Sequence, residues 1–415
     1  MCQTWIHNII PRSPYSLAFS QTIRKNNVMT SFPASRLAHV APFHVMELLA
    51  RAKVLEAEGR DIIHMEVGEP DFPTPGPILA AARAHLDTGK VFYTPALGLP
   101  ELRQAIAGFY FTRYGIRVSA SRIVVTAGAS GALLLALACL CEPGSEWLLT
   151  DPGYPCNSNF VRSFEGVPVC IPVRAENNFQ PTLADLEEHW NERTAGALFA
   201  SPANPTGTLL DEDVLAIMAE SIRKKGGQLI VDEIYHGLTY GLDAKTALDL
   251  GDDIFVVQSF SKYFNMTGWR LGWLVVPERF ARDIEKLAQN LFIAPSTPAQ
   301  YAALAAFHPD TLAILEDRRA EFGRRRDFLV PELEKLGFRI NAKPEGAFYV
   351  YADCSALATD SNAFACDLLE TTGVAITPGL DFGSHSPKHH LRFAYTTSIE
   401  RLGEAVARIG CYLAK

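Results

Sequence analysis

Lys262 follows an apolar run that ends in serine, Phe255-Val256-Val257-Gln258-Ser259, with Ser261 beside it and Arg270 eight residues further on. Such a run reads as a buried strand delivering its last side chains to a sheet edge, and strand ends are where α/β sheets hold ligands. Two hydroxyls and a guanidinium suit a phosphate, while a neighbouring amine suits a carbonyl carbon. The set therefore fits an aldehyde cofactor that carries a phosphate and is held by the lysine as a Schiff base. Three other residues stand out by type and place. Asp232 follows Leu229-Ile230-Val231, and a carboxylate buried at the end of a parallel strand is costly unless a cation meets it. Arg392 alternates with Leu391 and Phe393, so its fork of donors projects to the face opposite theirs, where it suits a carboxylate ligand or a structural ion pair. Gly68 follows Ile62 to Val67 and precedes Pro70, a position that either lets backbone approach a ligand or makes a plain turn.

The stretch Ser259 to Trp273 resembles the Schiff-base segment of the fold-type I pyridoxal-phosphate (PLP) aminotransferases of classes I and II. Motifs of that family occur in its order over about residues 42–413. The resemblance implies PLP as cofactor and no metal. Its phosphate would lie on Ala129, through backbone, and Ser130, through backbone and hydroxyl, together with Ser259, Ser261 and Arg270. Tyr154 would stack on the ring, and Asn204 and Tyr235 would donate to its phenolic oxygen. Asp232 would keep the ring nitrogen protonated, and Lys262 would serve as Schiff-base partner and then general base. Gly68, Asn204 and Arg392 would meet the substrate, the arginine taking its α-carboxylate. Tyr93, in Phe92-Tyr93-Thr94-Pro95, would reach the phosphate of the neighbouring subunit, which implies a homodimer with a shared active site.

The elements that must position these residues follow from pattern. Short apolar runs at Ile123–Thr126, Trp147–Thr150, Val169–Val173, Ala197–Ala200, Leu229–Tyr235 and Phe255–Ser259 predict strands, and Ile62–Val67 predicts another. Small residues at 127–131 open a helix running to Cys141, leaving N–H groups at its positive end as a phosphate seat. Asp211 to Lys225 predicts a helix with acids first, bases last and Gly226-Gly227 beyond. Further helices are expected from Phe43 to Gly59 and from Asn362 to Glu370, and a strand at Leu391–Tyr395. Leu315 to Phe328 carries Arg318, Arg319, Arg324, Arg325 and Arg326 among Glu316, Asp317, Glu321 and Asp327, which predicts a solvated helix and not a nucleic-acid patch. The resemblance implies an α/β fold: a mostly parallel seven-stranded sheet in a large α-β-α PLP-binding domain, with a smaller α+β domain built from both termini. The corresponding divisions are residues 1–28 as leader or tail, 29–74 in the small domain, 75–310 in the large one and 311–415 in the small one with its linking helix.

Composition bounds the function. With 38 basic and 46 acidic residues among 415, the formal charge of −8 argues against nucleic acid or an anionic membrane as partner. No apolar stretch approaches the roughly 18 residues of a membrane span. Eight cysteines without a CxxC pair predict reduced, buried thiols. Met1 to Met46 contains no Asp or Glu but has Arg12, Arg24, Lys25 and Arg36, the composition of an organellar transit peptide or of an irregular tail. The expected location is cytoplasmic, or an organellar matrix if residues 1–28 are such a leader.

The expected reaction moves the α-amino group of an L-amino acid to a 2-oxo acid such as 2-oxoglutarate or pyruvate in ping-pong fashion. The phosphate-loop neighbourhood, Gly128-Ala129-Ser130-Gly131, lacks the lysine that some aspartate-using members carry there. That shifts the expected donor from aspartate-like toward neutral or aromatic, with Phe43, Phe72 and Phe348 as candidate pocket walls. A PLP-dependent β-lyase or a 1-aminocyclopropane-1-carboxylate synthase would share nearly all of these residues. A non-catalytic effector module would need a DNA-binding domain ahead of it.

Overall fold

The structure is a computed structural model that describes residues 34–40 and 43–414; the expected leader, residues 1–28, lies outside the described residues. Among the described residues twelve strands run in chain order: β1 (Ile63–His64), β2 (Ile123–Thr126), β3 (Glu146–Asp151), β4 (Val167–Pro172), β5 (Thr194–Ala200), β6 (Gln228–Asp232), β7 (Phe255–Ser259), β8 (Gly272–Val275), β9 (Tyr349–Asp353), β10 (Val374–Ala375), β11 (Thr377–Pro378) and β12 (His390–Ala394). Seven of them form one sheet in the order β2-β8-β7-β6-β5-β3-β4. Only β8 runs against its neighbours in it, so β2, β3, β5, β6 and β7 deliver their carboxyl ends to one edge.

Helices cover both faces, which explains why these strands are continuous apolar runs instead of alternating ones. Along β6 the side chains separate: Ile230 packs with Leu133 and Ala136 of the helix Gly128–Leu140, while Leu229 and Val231 join a second core with Met218 and Ile222. The helix Glu212–Lys224 starts as its sequence dictates, with Asp211 Oδ1 accepting from Asp213 N at 3.0 Å and Val214 N at 3.1 Å.

The remaining strands bring the ends of the chain together. Parallel pairing sets β1 beside β10, with Ile63 opposite Val374. The antiparallel sheet β11-β12-β9 places Arg392 opposite both Thr377 and Tyr351.

Several expectations need correction. Of Ile62–Val67 only Ile63 and His64 pair, because the chain then leaves the sheet edge toward the pocket. The strand expected over Leu229–Tyr235 stops at Asp232, and Tyr235 lies in the turn beyond. The charged helix runs Pro309–Lys335, and Arg325 and Arg326 on it are buried, not solvated. Arg325 grips Asp71 with two bonds of 2.7 and 3.1 Å, and Arg326 donates to Pro344 O at 3.2 Å. Cys170, Cys366 and Cys411 are exposed, against the expectation of buried thiols, though every cysteine among the described residues is free. Among the described residues no helix is long and apolar enough to cross a membrane.

Candidate active site

A cavity of about 220 Å³ opens at the carboxyl edge of the large sheet, between it and the segment that follows β1. Its lining includes Gly68, Ala129, Ser130, Tyr154, Asn204, Asp232, Tyr235, Ser259, Ser261, Lys262, Arg270 and Arg392. Twelve of the thirteen residues singled out in the sequence thus converge on one space. Tyr93 is the exception: it is 82 % exposed on this chain and does not line the cavity.

Lys262 sits past the end of β7, its Nζ donating to Gly68 O at 2.5 Å and lying 5.7 Å from the Tyr235 ring centre and 5.6 Å from that of Phe348. Enclosure by protein, and next the positive charge of Arg392, push its pKa down to about 8. A lysine so placed has a sizeable neutral fraction near physiological pH, which a nucleophilic amine requires. Asp232, at the end of β6, is 5 % exposed and accepts from Ile234 N at 3.0 Å. Burial raises its pKa to about 6, and the charge of Lys262 only partly opposes this.

The phosphate-suited groups form one corner. Ser259 Oγ donates to Ser261 Oγ at 2.9 Å and accepts from Ser261 N at 3.0 Å. Arg270 adopts a left-handed backbone, φ 51°, and its Nη1 donates to Thr267 O at 3.0 Å. Ala129 and Ser130 occupy the first turn of the helix Gly128–Leu140, where N–H groups are free and the helix dipole favours an anion. Gly128 holds φ 72°, and a Cβ there would stand 2.8 Å from an Arg270 nitrogen, so glycine keeps helix start and guanidinium together.

The opposite corner is built around Arg392. Its Nη1 donates to Asn204 Oδ1 at 2.9 Å and its Nη2 to Thr377 Oγ1 at 3.2 Å and to Glu66 O, while Nε is buried without a partner. Since arginine can only donate, the Asn204 oxygen faces it and the amide nitrogen points away. The guanidinium lies over the rings of Tyr349, at 4.4 Å, and Phe382, at 4.8 Å. Tyr349 escaped the sequence reading, yet its hydroxyl meets that of Tyr235 at 2.8 Å and it lines the cavity. A Cβ on Gly68 would collide with the Tyr349 hydroxyl, so glycine is required there for close approach and the reading as a mere turn is insufficient. The only forewarning of Tyr349 was Tyr235 itself, a phenol whose burial demanded a partner.

Of the proposed pocket walls, Phe43 lines the cavity and stands edge-on to Tyr154 at 6.4 Å, but Phe72 and Phe348 do not line it. Phe72 turns instead to Phe322 at 5.3 Å, under Arg318 and Arg325, and Phe348 is fully buried against Tyr235. Val45, Met46, Leu133 and Ile234 supply the apolar lining in their place.

The donor set fits a phosphorylated pyridine aldehyde. A partly neutral lysine shares the cavity with a carboxylate whose pKa burial raises, a group that a ring cation would suit, and hydroxyls, helix start and arginine gather at one end. Comparison with known proteins agrees. The family model for aminotransferase class I and II matches residues 60–409. A valine–pyruvate aminotransferase of Mycobacterium tuberculosis is 39 % identical over 378 residues, covering 91 % of this chain and 97 % of that protein. A probable aspartate/prephenate aminotransferase of Aquifex aeolicus is 39 % identical over 386 residues, with 91 % and 97 % covered. The crystal structure of an aminotransferase from Mycobacterium tuberculosis superposes with a TM-score of 0.90 at 39 % identity, over 93 % of this chain and all of that one. A lysine and a carboxylate facing each other across this cavity are therefore the parts of a shared chemistry, and the chain belongs to the class I and II aminotransferases, which are PLP-dependent transaminases.

Proposed function

We propose that the enzyme takes a neutral or aromatic L-amino acid as donor and a 2-oxo acid as acceptor, pyruvate ahead of 2-oxoglutarate. A ping-pong transaminase receives both in one pocket, so the lining that selects one selects the other. The charge inventory of the cavity carries this reading. Its cationic side chains are Lys262, Arg270 and Arg392, and amine chemistry, phosphate and α-carboxylate occupy all three. Phe43, Val45, Met46, Leu133 and Ile234 leave apolar surface for the rest of the substrate. The relative named for valine and pyruvate supports the reading; relatives named for aspartate, at 34 % and 35 % identity, favour the dicarboxylate alternative.

Each side chain then has a task. PLP, when bound, supplies an electron sink that makes the donor's Cα–H acidic. Ser130, Ser259, Ser261, Arg270 and the N–H groups of Ala129 and Ser130 would hold its phosphate, and Tyr154 would cover its ring. Asp232 stabilises a proton on the ring nitrogen. Tyr235, whose pKa burial drives well above its ordinary value, stays protonated and donates to the phenolic oxygen beside the Asn204 amide. Lys262 Nζ would take the proton from the donor's Cα and hold it as the general base. Arg392 and Gly68 orient the α-carboxylate so that the Cα–H bond faces that amine.

The same reading makes the enzyme a homodimer in which Tyr93 reaches the neighbouring subunit's phosphate. Val91, Phe92 and Tyr93 are 47, 73 and 82 % exposed, a run of apolar surface suited to a second copy. We likewise keep the division at residues 74 and 310, which the β1–β10 pairing of the two chain ends supports, and the cytoplasm as location. The test is a visible spectrum of the purified, PLP-loaded enzyme while amino acids are added singly. Valine, alanine or phenylalanine should bleach the internal band at lower concentration than aspartate or glutamate. A clear preference for aspartate over every neutral donor would overturn the substrate reading.

A further inference from the structure

We propose that Asp381 is a positioning residue for donor selection: its carboxylate clamps the apolar wall formed by Phe43, Val45 and Met46 into place over the pocket. The helix His44–Ala57 has Phe43 at its cap position, and no side chain within the helix caps it. Its first N–H groups are satisfied from across the chain, His44 N donating to Asp381 Oδ1 at 2.7 Å and Val45 N to Asp381 Oδ2 at 2.8 Å. Both carboxylate oxygens are thus spent on one helix start, a charge-assisted version of an N-cap supplied from more than 300 residues away. Asp381 is 5 % exposed.

The clamp is itself anchored at both ends. Phe382, next in sequence, lies under the Arg392 guanidinium at 4.8 Å, and its carbonyl accepts from Gly153 N at 2.8 Å. Asp151, the last residue of β3, accepts from Ser384 N at 2.8 Å and from Ser384 Oγ at 2.9 Å. One short segment therefore touches the helix start, the arginine and the strand end that precedes Tyr154. Phe43, Val45 and Met46 line the cavity, and Phe43 meets Tyr154 edge-on. Release of the carboxylate frees those three side chains while leaving the cofactor corner, at Ser130, Ser259 and Arg270, untouched.

The consequence, which rests on the apolar-donor reading above, is a defect in KM that grows with donor size. In Asp381→Ala, KM for phenylalanine or valine should rise about tenfold with kcat nearly constant, while KM for alanine moves less than about threefold. Asp381→Asn keeps one acceptor and should fall between. Phe43→Ala removes the wall directly and should show the same size dependence, and in the double variant with Asp381→Asn the two effects should not add, because they act on one contact. Equal losses for all donors, or additive effects in the double variant, would overturn the clamp. The donor preference of the unaltered enzyme tests the apolar reading separately, since the variants are judged by the change in their ratios. Should Asp381→Ala not fold, the Asp381→Asn and Phe43→Ala pair decides alone.

Discussion

Asp232 offers the sharpest test, because its titration should weaken the empty enzyme as pH rises but not the loaded one. Its carboxyl is raised from 3.8 to about 6, chiefly by burial. A raised acid stabilises the fold while it is protonated: the contribution is full below the unfolded pKa near 3.8 and is lost as pH rises through about 6. Two units correspond to about 3 kcal/mol. Urea unfolding of the PLP-free enzyme at pH 4, 5, 6 and 7, compared with Asp232→Asn, should show the parent losing about 2 kcal/mol of that relative to the variant across the window. With PLP bound, a protonated ring nitrogen supplies the absent cation, and the relative loss should disappear. Parallel curves for the empty parent and variant would refute the burial argument. An unchanged loss on loading would refute the placement of the ring nitrogen at Asp232.

Other outcomes follow from the same geometry. Lys262→Ala should lose the spectral response to amino donors and at least about a thousandfold in kcat, read by single-turnover absorbance. Arg392→Lys trades a planar fork for a point charge, so KM for every donor should rise about tenfold or more while the band of the resting enzyme stays unchanged. Gly68→Ala drives a methyl into the Tyr349 hydroxyl, and kcat/KM should fall at least about tenfold without loss of bound PLP. If Tyr93 acts across subunits, inactive Tyr93→Ala and Lys262→Ala chains mixed after dissociation should regain activity, since one of the two shared sites is then whole.

Much of the site was legible because Asp232, Ser259 and Lys262 sit at or just past strand ends that the apolar runs mark out. Lys262 after β7 and Asp232 at the end of β6 needed only the rule that such runs are buried and stop at a sheet edge. What failed depended on direction and distance. Phe72 and Phe348 were placed by loop position, which says nothing about which way a ring turns, and both turn into the core. Arg325 and Arg326 looked solvated since acids interleave with them, but Asp71 and Pro344 arrive from remote segments to bury them. Tyr349 was invisible because its meaning lies in a contact with Tyr235, 114 residues away. The helix Glu212–Lys224 and strand β2, whose signals are local, fell where the sequence put them.

The position of β8 between β2 and β7 bears on how a ribosome-bound chain matures. β2 has no strand partner in the sheet until residues 272–275 emerge, so the strand that leads into the Ser130 turn stays unpaired for about 150 further residues of synthesis. Chains halted short of Val275 should hold the vitamin-derived ligand more weakly than the full chain, since the strand that delivers Ser130 is then an unpaired edge.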